Sequence, residues 1–305
     1  MGNYERNKSK DCLKMQQPVQ NLESKIKELW PKDGPSSLEV EKYIKKYSKE
    51  KIVIKCGGKV LLDSSLLNNL IEDIVILKKL GLTPILVHGG GLGIKKKLEE
   101  QNIESKFING LRVTNEKIIN VVESVMTEFN KEIVNKLEKK SCKAKSITIK
   151  KNNIIYVEQE NQELGFVGKP KRVDVKLLKQ IIKDNFIPVI IPMGQDEKGQ
   201  AYNINADTAA GAIARSMKSR RLMLLTDIDG VLDNNNKLIS EINTMDAKNL
   251  INNETIHGGM IPKIKTCIDA INNGVRAVAI LDGRKPHSIL FELFSDKGSG
   301  TLIRR

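Results

Sequence analysis

The 305-residue chain has little of what usually announces a chemistry. Aromatic residues make up only 4% of it, too few for an obvious base-stacking platform. Its four cysteines, Cys12, Cys56, Cys142 and Cys267, lie far apart with no CxxC pair, which argues against a zinc site or a disulfide framework. There is no 18-residue apolar run and no signal-peptide core, so no membrane partner is expected. The acids Glu5, Asp11, Glu23 and Glu28 fit a transit peptide poorly, and the expectation is a cytoplasmic protein. No internal repeat is visible. A Walker A motif is missing: Gly165–Lys169 has the wrong spacing and runs into Pro170. No GxGxxG occurs, since Gly89 and Gly91 are followed by Ile94 where the last glycine would stand.

What is present describes a folded chain. Hydrophobic side chains at 40% plus 22 glycines bring the apolar share to about 47%, enough for a core in one or two domains. Lys and Arg number 51 against 37 Asp and Glu, a net charge of +14. That excess is spread out, with no basic cluster longer than runs such as Lys95–Lys97. It reads as a lysine-rich background rather than a nucleic-acid surface.

The pattern of elements is α/β. Residues 1–18 are polar, and Val19–Trp30 has helical spacing. Pro31–Pro35 breaks the chain, and Ser36 with Glu39 forms a capping box for a helix to Tyr47. From Lys51 on, strands expected at 51–55, 84–88, 186–192, 222–226 and 277–281 alternate with helices at 66–80, after Gly91, and at 118–140, 175–185, 206–218, 261–272 and 288–294. Ile147–Ile149 and Ile154–Val157 read as a hairpin, and Thr301–Ile303 as an edge strand. Strands with apolar cores between helices imply a mainly parallel sheet.

In such sheets ligands bind beyond the carboxyl ends of the strands. Lys55 ends the first strand, ahead of Gly57-Gly58. Gly89-Gly90-Gly91 follows the second strand and opens a helix, whose N-terminus favours an anion. Two glycine turns beside a strand-end lysine point to phosphate. Asn203-Ile204-Asn205-Ala206-Asp207 stands before an Ala-rich helix; read alone, Asp207 is an N-cap. Gly258-Gly259-Met260-Ile261-Pro262-Lys263 puts a lysine in the first turn of a helix, where the dipole disfavours it unless an anion is near. Leu224–Leu232 is similar to the first motif of haloacid-dehalogenase phosphatases, with Asp227 as the nucleophile. The acids that follow (Asp269, Asp282, Asp296) are too scattered for the metal site those enzymes need, and the segment reads better as a strand and loop beside a nucleotide.

Taken in order, Ile54–Gly58, Val87–Gly91, Asn109–Thr114, Asn203–Asp207 and Gly258–Lys263 closely resemble the amino acid kinase family, in its branch that acts on N-acetylglutamate. The resemblance runs from about residue 51 to the end. It implies a three-layer αβα sandwich after an N-terminal helical extension (1–50), with an acetylglutamate-binding lobe (51–195) and a nucleotide-binding lobe (196–305). The activity implied is ATP-dependent phosphorylation of the γ-carboxylate of N-acetyl-L-glutamate in arginine biosynthesis. ATP with Mg²⁺ would be co-substrate, with no dedicated protein metal site. By position, Lys55 and Lys263 match the lysines that stabilise the transferring phosphoryl group, and Asp207 the acid that orients both. Gly90, Gly91, Arg112 and Asn203 match acceptor contacts; Gly57, Gly58, Thr226, Asp227 and Gly259 match phosphate and nucleotide contacts.

The extension and the C-terminal segment resemble the arginine-inhibited, hexameric branch, a trimer of dimers. Tyr43, His287, Glu292 and Gly298 match its L-arginine site, although Ser299 departs from the usual apolar residue. A PII-type regulator is a further partner of that branch. Two other readings stay open: a related kinase acting on another carboxylate or carbamate, which Arg112 opposes, and a silent arginine-sensing subunit, which the two lysines and Asp207 oppose.

Overall fold

A computed structural model of the chain describes residue 26 and residues 28–305. Cys12 and the polar start lie outside them, as does most of the helix expected over Val19–Trp30, of which Ile26, Glu28 and Leu29 are helical. In chain order the elements are α1 (Ser37–Tyr47), β1 (Lys51–Cys56), α2 (Lys59–Leu62), α3 (Ser64–Lys79), β2 (Thr83–His88), α4 (Gly91–Glu100), β3 (Phe107–Ile108), β4 (Leu111–Arg112), α5 (Glu116–Lys139) and β5 (Ala144–Ile147). The chain continues through β6 (Ile155–Gln159), β7 (Gly168–Val173), α6 (Val175–Lys183), β8 (Ile187–Ile190), β9 (Met193–Gln195), β10 (Ala201–Asn203), α7 (Ala206–Ser216) and β11 (Arg221–Thr226). It closes with β12 (Glu241–Asn243), α8 (Thr244–Asn252), α9 (Met260–Asn272), β13 (Ala277–Asp282), α10 (Ser288–Phe294) and β14 (Gly300–Arg304).

Eight strands form the main sheet in the order β12-β14-β13-β11-β1-β2-β8-β5, parallel throughout except where β14 runs against β13. Alternation along each strand builds the layers. Ile52, Ile54, Met223, Leu225, Ala279 and Leu281 point into one core, with helices α1, α3 and α10. Val53, Leu222, Leu224, Val278 and Ile280 point into the other, with α7 and α9. The α/β expectation holds, with helices on both faces of a mainly parallel sheet.

Two local expectations fail. Ile147 and Ile155 do not form a hairpin: β5 pairs parallel with β8 in the main sheet, whereas β6 joins β7 and β9 in a separate four-stranded sheet. The turn closed by Thr148 and Lys151, each donating its N–H to the other's carbonyl at 2.8 and 3.2 Å, lies between the two strands. The C-terminal strand is not an edge, because the three-residue β12 covers it. The capping box is confirmed: Ser36 Oγ accepts from Glu39 N, and Glu39 Oε2 accepts from Ser36 N at 3.3 Å.

Candidate active site

β1 lies at the centre of the sheet, between β2 and β11, so the chain path diverges on either side of its carboxyl end. Lys55 occupies that end. Asn205, rather than Asp207, caps α7, accepting from Asp207 N at 2.9 Å and Thr208 N at 3.1 Å. Asp207 is thereby set in the first turn with its carboxylate free. Small residues bring α9 against α7: a Cβ on Gly211 would stand 2.9 Å from Thr266 Cγ2. Lys263, in the first turn of α9, can then reach across.

The three groups form a triangle. Asp207 Oδ1 lies 3.0 Å from Lys55 Nζ, and its Oδ2 accepts from Lys263 Nζ at 2.5 Å. All three side chains are mostly buried, at 12–14% exposure. Burial by itself would raise Asp207, but the two ammonium groups outweigh it and hold the carboxyl down at about 2. The anion expected beside Lys263 is therefore supplied by the protein itself.

Three clefts meet here. One of about 260 Å³ is lined by Lys55, both glycine turns, Arg112, Met126 and Asn203. A second, about 290 Å³, is lined by Lys55, Gly57, Gly58, Thr226, Asp227 and Arg284. The third, about 370 Å³, takes in Asp207, Gly259 and Lys263. Lys55, Gly57 and Gly58 thus line both of the first two. Gly58 has a φ of +60°, which a side chain would strain, and a Cβ on Gly57 would meet Lys55 Nζ at 3.5 Å.

The first cleft has a second cation besides Lys55. Arg112 is buried, with its guanidinium 4.6 Å from the centre of the Phe107 ring. Its Nη2 donates to Gly91 O at 3.3 Å and its Nη1 to Ser105 Oγ. Asn203 Nδ2 donates to Thr114 Oγ1 at 3.4 Å. In the second cleft, Arg284 was not anticipated from sequence. Asp282 grips it twice, accepting from Nε at 2.9 Å and from Nη2 at 2.8 Å. The signal that would have found it is its place two residues past β13, at the same carboxyl edge as Lys55.

The four residues matched to an arginine site divide. Tyr43 OH donates to Asp296 Oδ1, tying α1 to the loop after α10. In that loop Gly298 lies against Glu292, where a Cβ would meet Oε2 at 2.9 Å, and Glu292 Oε2 accepts from Ser299 N at 3.2 Å. Burial pushes the Glu292 carboxyl up. His287, at the other end of α10, is instead engaged by Asp73 Oδ1 at 2.6 Å and Asp33 Oδ1 at 3.4 Å.

Chemically, the triangle can hold negative charge between two cations. Burial pushes the Cys56 thiol up to about 12 and raises Cys267 as well, so neither thiol supplies a nucleophile at neutral pH.

The amino acid kinase family model matches residues 50–282. The chain is 59% identical over 282 residues to the acetylglutamate kinase of Pelagibacter ubique, covering 92% of this chain and 98% of that one. It is 42% identical over 299 residues to the acetylglutamate kinase of Bartonella henselae, covering 93% and 99%. Among solved structures, N-acetylglutamate synthase from Neisseria gonorrhoeae, complexed with coenzyme A and N-acetyl-glutamate, aligns with a TM-score of 0.80 at 24% identity. That alignment covers 89% of this chain and 64% of the synthase, and it speaks to fold alone.

Proposed function

The chain belongs to the amino acid kinase family and stands among its acetylglutamate kinases, and from that premise we propose that it transfers the γ-phosphoryl group of ATP to the γ-carboxylate of N-acetyl-L-glutamate. The products are N-acetyl-L-glutamyl 5-phosphate and ADP. The observation that carries this reading is the Lys55–Asp207–Lys263 triangle, whose Lys55 is shared by a cleft with an arginine and a cleft at the end of β11.

The chemistry suits these groups. A γ-carboxylate with a pKa of about 4.3 is already ionised at neutral pH, so its attack needs no general base. The barrier lies in bringing two anions together and stabilising charge on the equatorial oxygens, which is a matter of position and electrostatics. Lys55 and Lys263 would flank the transferring group, and Asp207 would hold both ammonium groups apart and aimed. Gly57, Gly58 and Gly259 would offer backbone N–H groups to phosphates. Gly90, Gly91 and Asn203 would hold the acceptor, with Arg112 gripping its α-carboxylate. Thr226 and Asp227 would border the nucleotide.

We assign Mg²⁺ to the nucleotide. Mg²⁺ dehydrates reluctantly and is suited to ride on the phosphates of ATP with several waters. When bound it would neutralise phosphate charge. Residues 51–195 would then serve the acceptor and 196–305 the nucleotide. Feedback inhibition by L-arginine at Tyr43, Glu292 and Gly298, with His287 holding the base of α10, belongs to the same reading. So do a cytoplasmic location, a trimer of dimers joined through the N-terminal extension, and binding of a PII-type regulator.

The test is ATP- and Mg²⁺-dependent acyl phosphate formation, trapped as the hydroxamate, with N-acetyl-L-glutamate against glutamate, aspartate and carbamate, each with and without arginine. Turnover confined to N-acetyl-L-glutamate is expected. Turnover of another acceptor would keep the family and replace the substrate. Folded protein that binds arginine and turns over none of them would make the chain a sensor.

A further inference from the structure

We propose that His88 is a positioning residue for the acceptor site: Asn130 holds its ring as the neutral Nδ1–H tautomer, and the ring fixes the Gly89 carbonyl, whose peptide plane aims the N–H of Gly90 into the cleft that Arg112 lines. The inference rests on the acceptor reading above and goes beyond it, since His88 itself does not line that cleft.

The tautomer follows from donor and acceptor logic alone. His88 and Asn130 are both fully buried. Asn130 Nδ2 lies 2.9 Å from Val189 O and 3.1 Å from His88 Nε2. A carbonyl can only accept, so the atom facing Val189 must be the amide nitrogen. That nitrogen can only donate, so His88 Nε2 must carry a lone pair. The ring proton is left on Nδ1, where Gly89 O accepts at 3.1 Å. Burial agrees, pushing His88 down to about 4 and leaving it uncharged at neutral pH.

The turn is otherwise pinned at three points, one of them the helical bond in which Ile94 N donates to Gly90 O at 2.8 Å. Gly89 N donates to Cys56 O at 2.7 Å, and Arg112 Nη2 donates to Gly91 O at 3.3 Å. The Gly89 carbonyl, between them, has the His88 ring. Asn130 lies one turn beyond Met126 on α5, and Met126 Sδ would stand 2.9 Å from a Cβ on Gly90. Helix α5 therefore sets the glycine turn twice, directly through Met126 and indirectly through Asn130 and His88.

Two measurements test this. With only three histidines, ¹⁵N-imidazole NMR of the intact wild type can assign His88, and a protonated Nδ1 with a bare Nε2 is expected at neutral pH. An Nε2–H ring or an imidazolium would overturn the proposal without any variant being made. In kinetics, His88→Leu removes the donor, whereas His88→Asn places an amide nitrogen near Nδ1. Leucine should raise KM for N-acetyl-L-glutamate about tenfold and leave KM for ATP unchanged, while asparagine should return it to within about threefold of wild type. Equal changes in both KM values, or no rescue by asparagine, would mean that His88 only packs. The wild type separates the two failures. If it turns over N-acetyl-L-glutamate and leucine leaves KM unchanged, the positioning role alone is wrong. A wild type silent on that acceptor would overturn the acceptor reading and this proposal with it.

Discussion

Two buried aspartates, one at the carboxyl edge of the sheet and one within helix α3, meet opposite fates. Asp207 faces two lysines and is held down at about 2. Asp73, on α3, faces one imidazole; burial pushes it up to about 6, and the His287 hydrogen bond offsets that only in part. What differs is the number of cations each carboxyl meets. Two ammonium groups keep Asp207 ionised across the useful pH range, so its carboxylate can hold Lys55 and Lys263 in place in a site that must receive a phosphoryl anion. One histidine leaves Asp73 close to sharing a proton, so the base of α10 and the Asp33 turn are joined by a contact that depends on pH. The same residue type serves preorganisation in one place and a latch in the other.

The largest effects should come from breaking the triangle. Lys55→Ala, Lys263→Ala or Asp207→Ala should each lower kcat by at least about 100-fold, as loss of groups that stabilise the transition state does. Near-normal turnover in any of them would sink the assigned roles. Arg112→Ala should act differently, raising KM for N-acetyl-L-glutamate about tenfold or more with a smaller change in kcat. An unchanged KM would remove Arg112 from the acceptor site.

The latch predicts a change in stability rather than in turnover. His287 is raised above its ordinary 6.5, with the Asp73 hydrogen bond as the main cause. A raised pKa means that the stability this histidine adds is complete below 6.5 and is lost as pH rises through its folded value. Asp73 has the same sign lower down, its contribution present below 3.8 and lost as pH rises through about 6. Asp207 has the opposite sign, its contribution present above 3.8 and lost as pH falls through about 2. Asp73→Asn should therefore cost about 2 kcal/mol at mildly acid pH, where the wild-type hydrogen bond involves charge, and should flatten the fall of Tm above pH 6.5. If wild type and variant have parallel Tm–pH curves over that range, the latch does not exist.

These two regions also differ in how far the sequence revealed them. Lys55 and Lys263 could be found because each stands at a strand end or helix start beside glycine, where local chemistry marks a binding edge, whereas Asp207, an N-cap when read alone, took its role from the resemblance. That Asp207 is the anion next to Lys263 depends on the close approach of α7 and α9 and is a tertiary fact. Asp73 was hidden: it lies inside the apolar run of α3, among Leu70, Ile71, Ile74 and Val75, and its partner is 214 residues away. The false hairpin arose because alternation identifies a strand but not its partner, so β5 and β6 looked like neighbours while belonging to different sheets. The last strand read as an edge because β12, which covers it, has only three residues and shows no periodicity.

The smallest effect should come at the start of α1, and it tests whether the helical extension is coupled to the triangle. Ser36 Oγ accepts from Glu39 N, and beyond the cap α1 packs on α10 through Tyr47 and Phe294, whose ring centroids lie 6.2 Å apart. Ser36→Ala should cost about 1 kcal/mol of stability, the usual loss for an N-cap hydroxyl. It should lower Tm slightly and leave kcat and both KM values unchanged, because no residue of α1 lines the three clefts around Asp207. A fall in kcat without a fall in Tm would mean that the position of α1 is felt at β1. The route would run through Val40, Ile44 and Tyr47, since their core is the one that also holds Ile52 and Ile54 on the strand that carries Lys55.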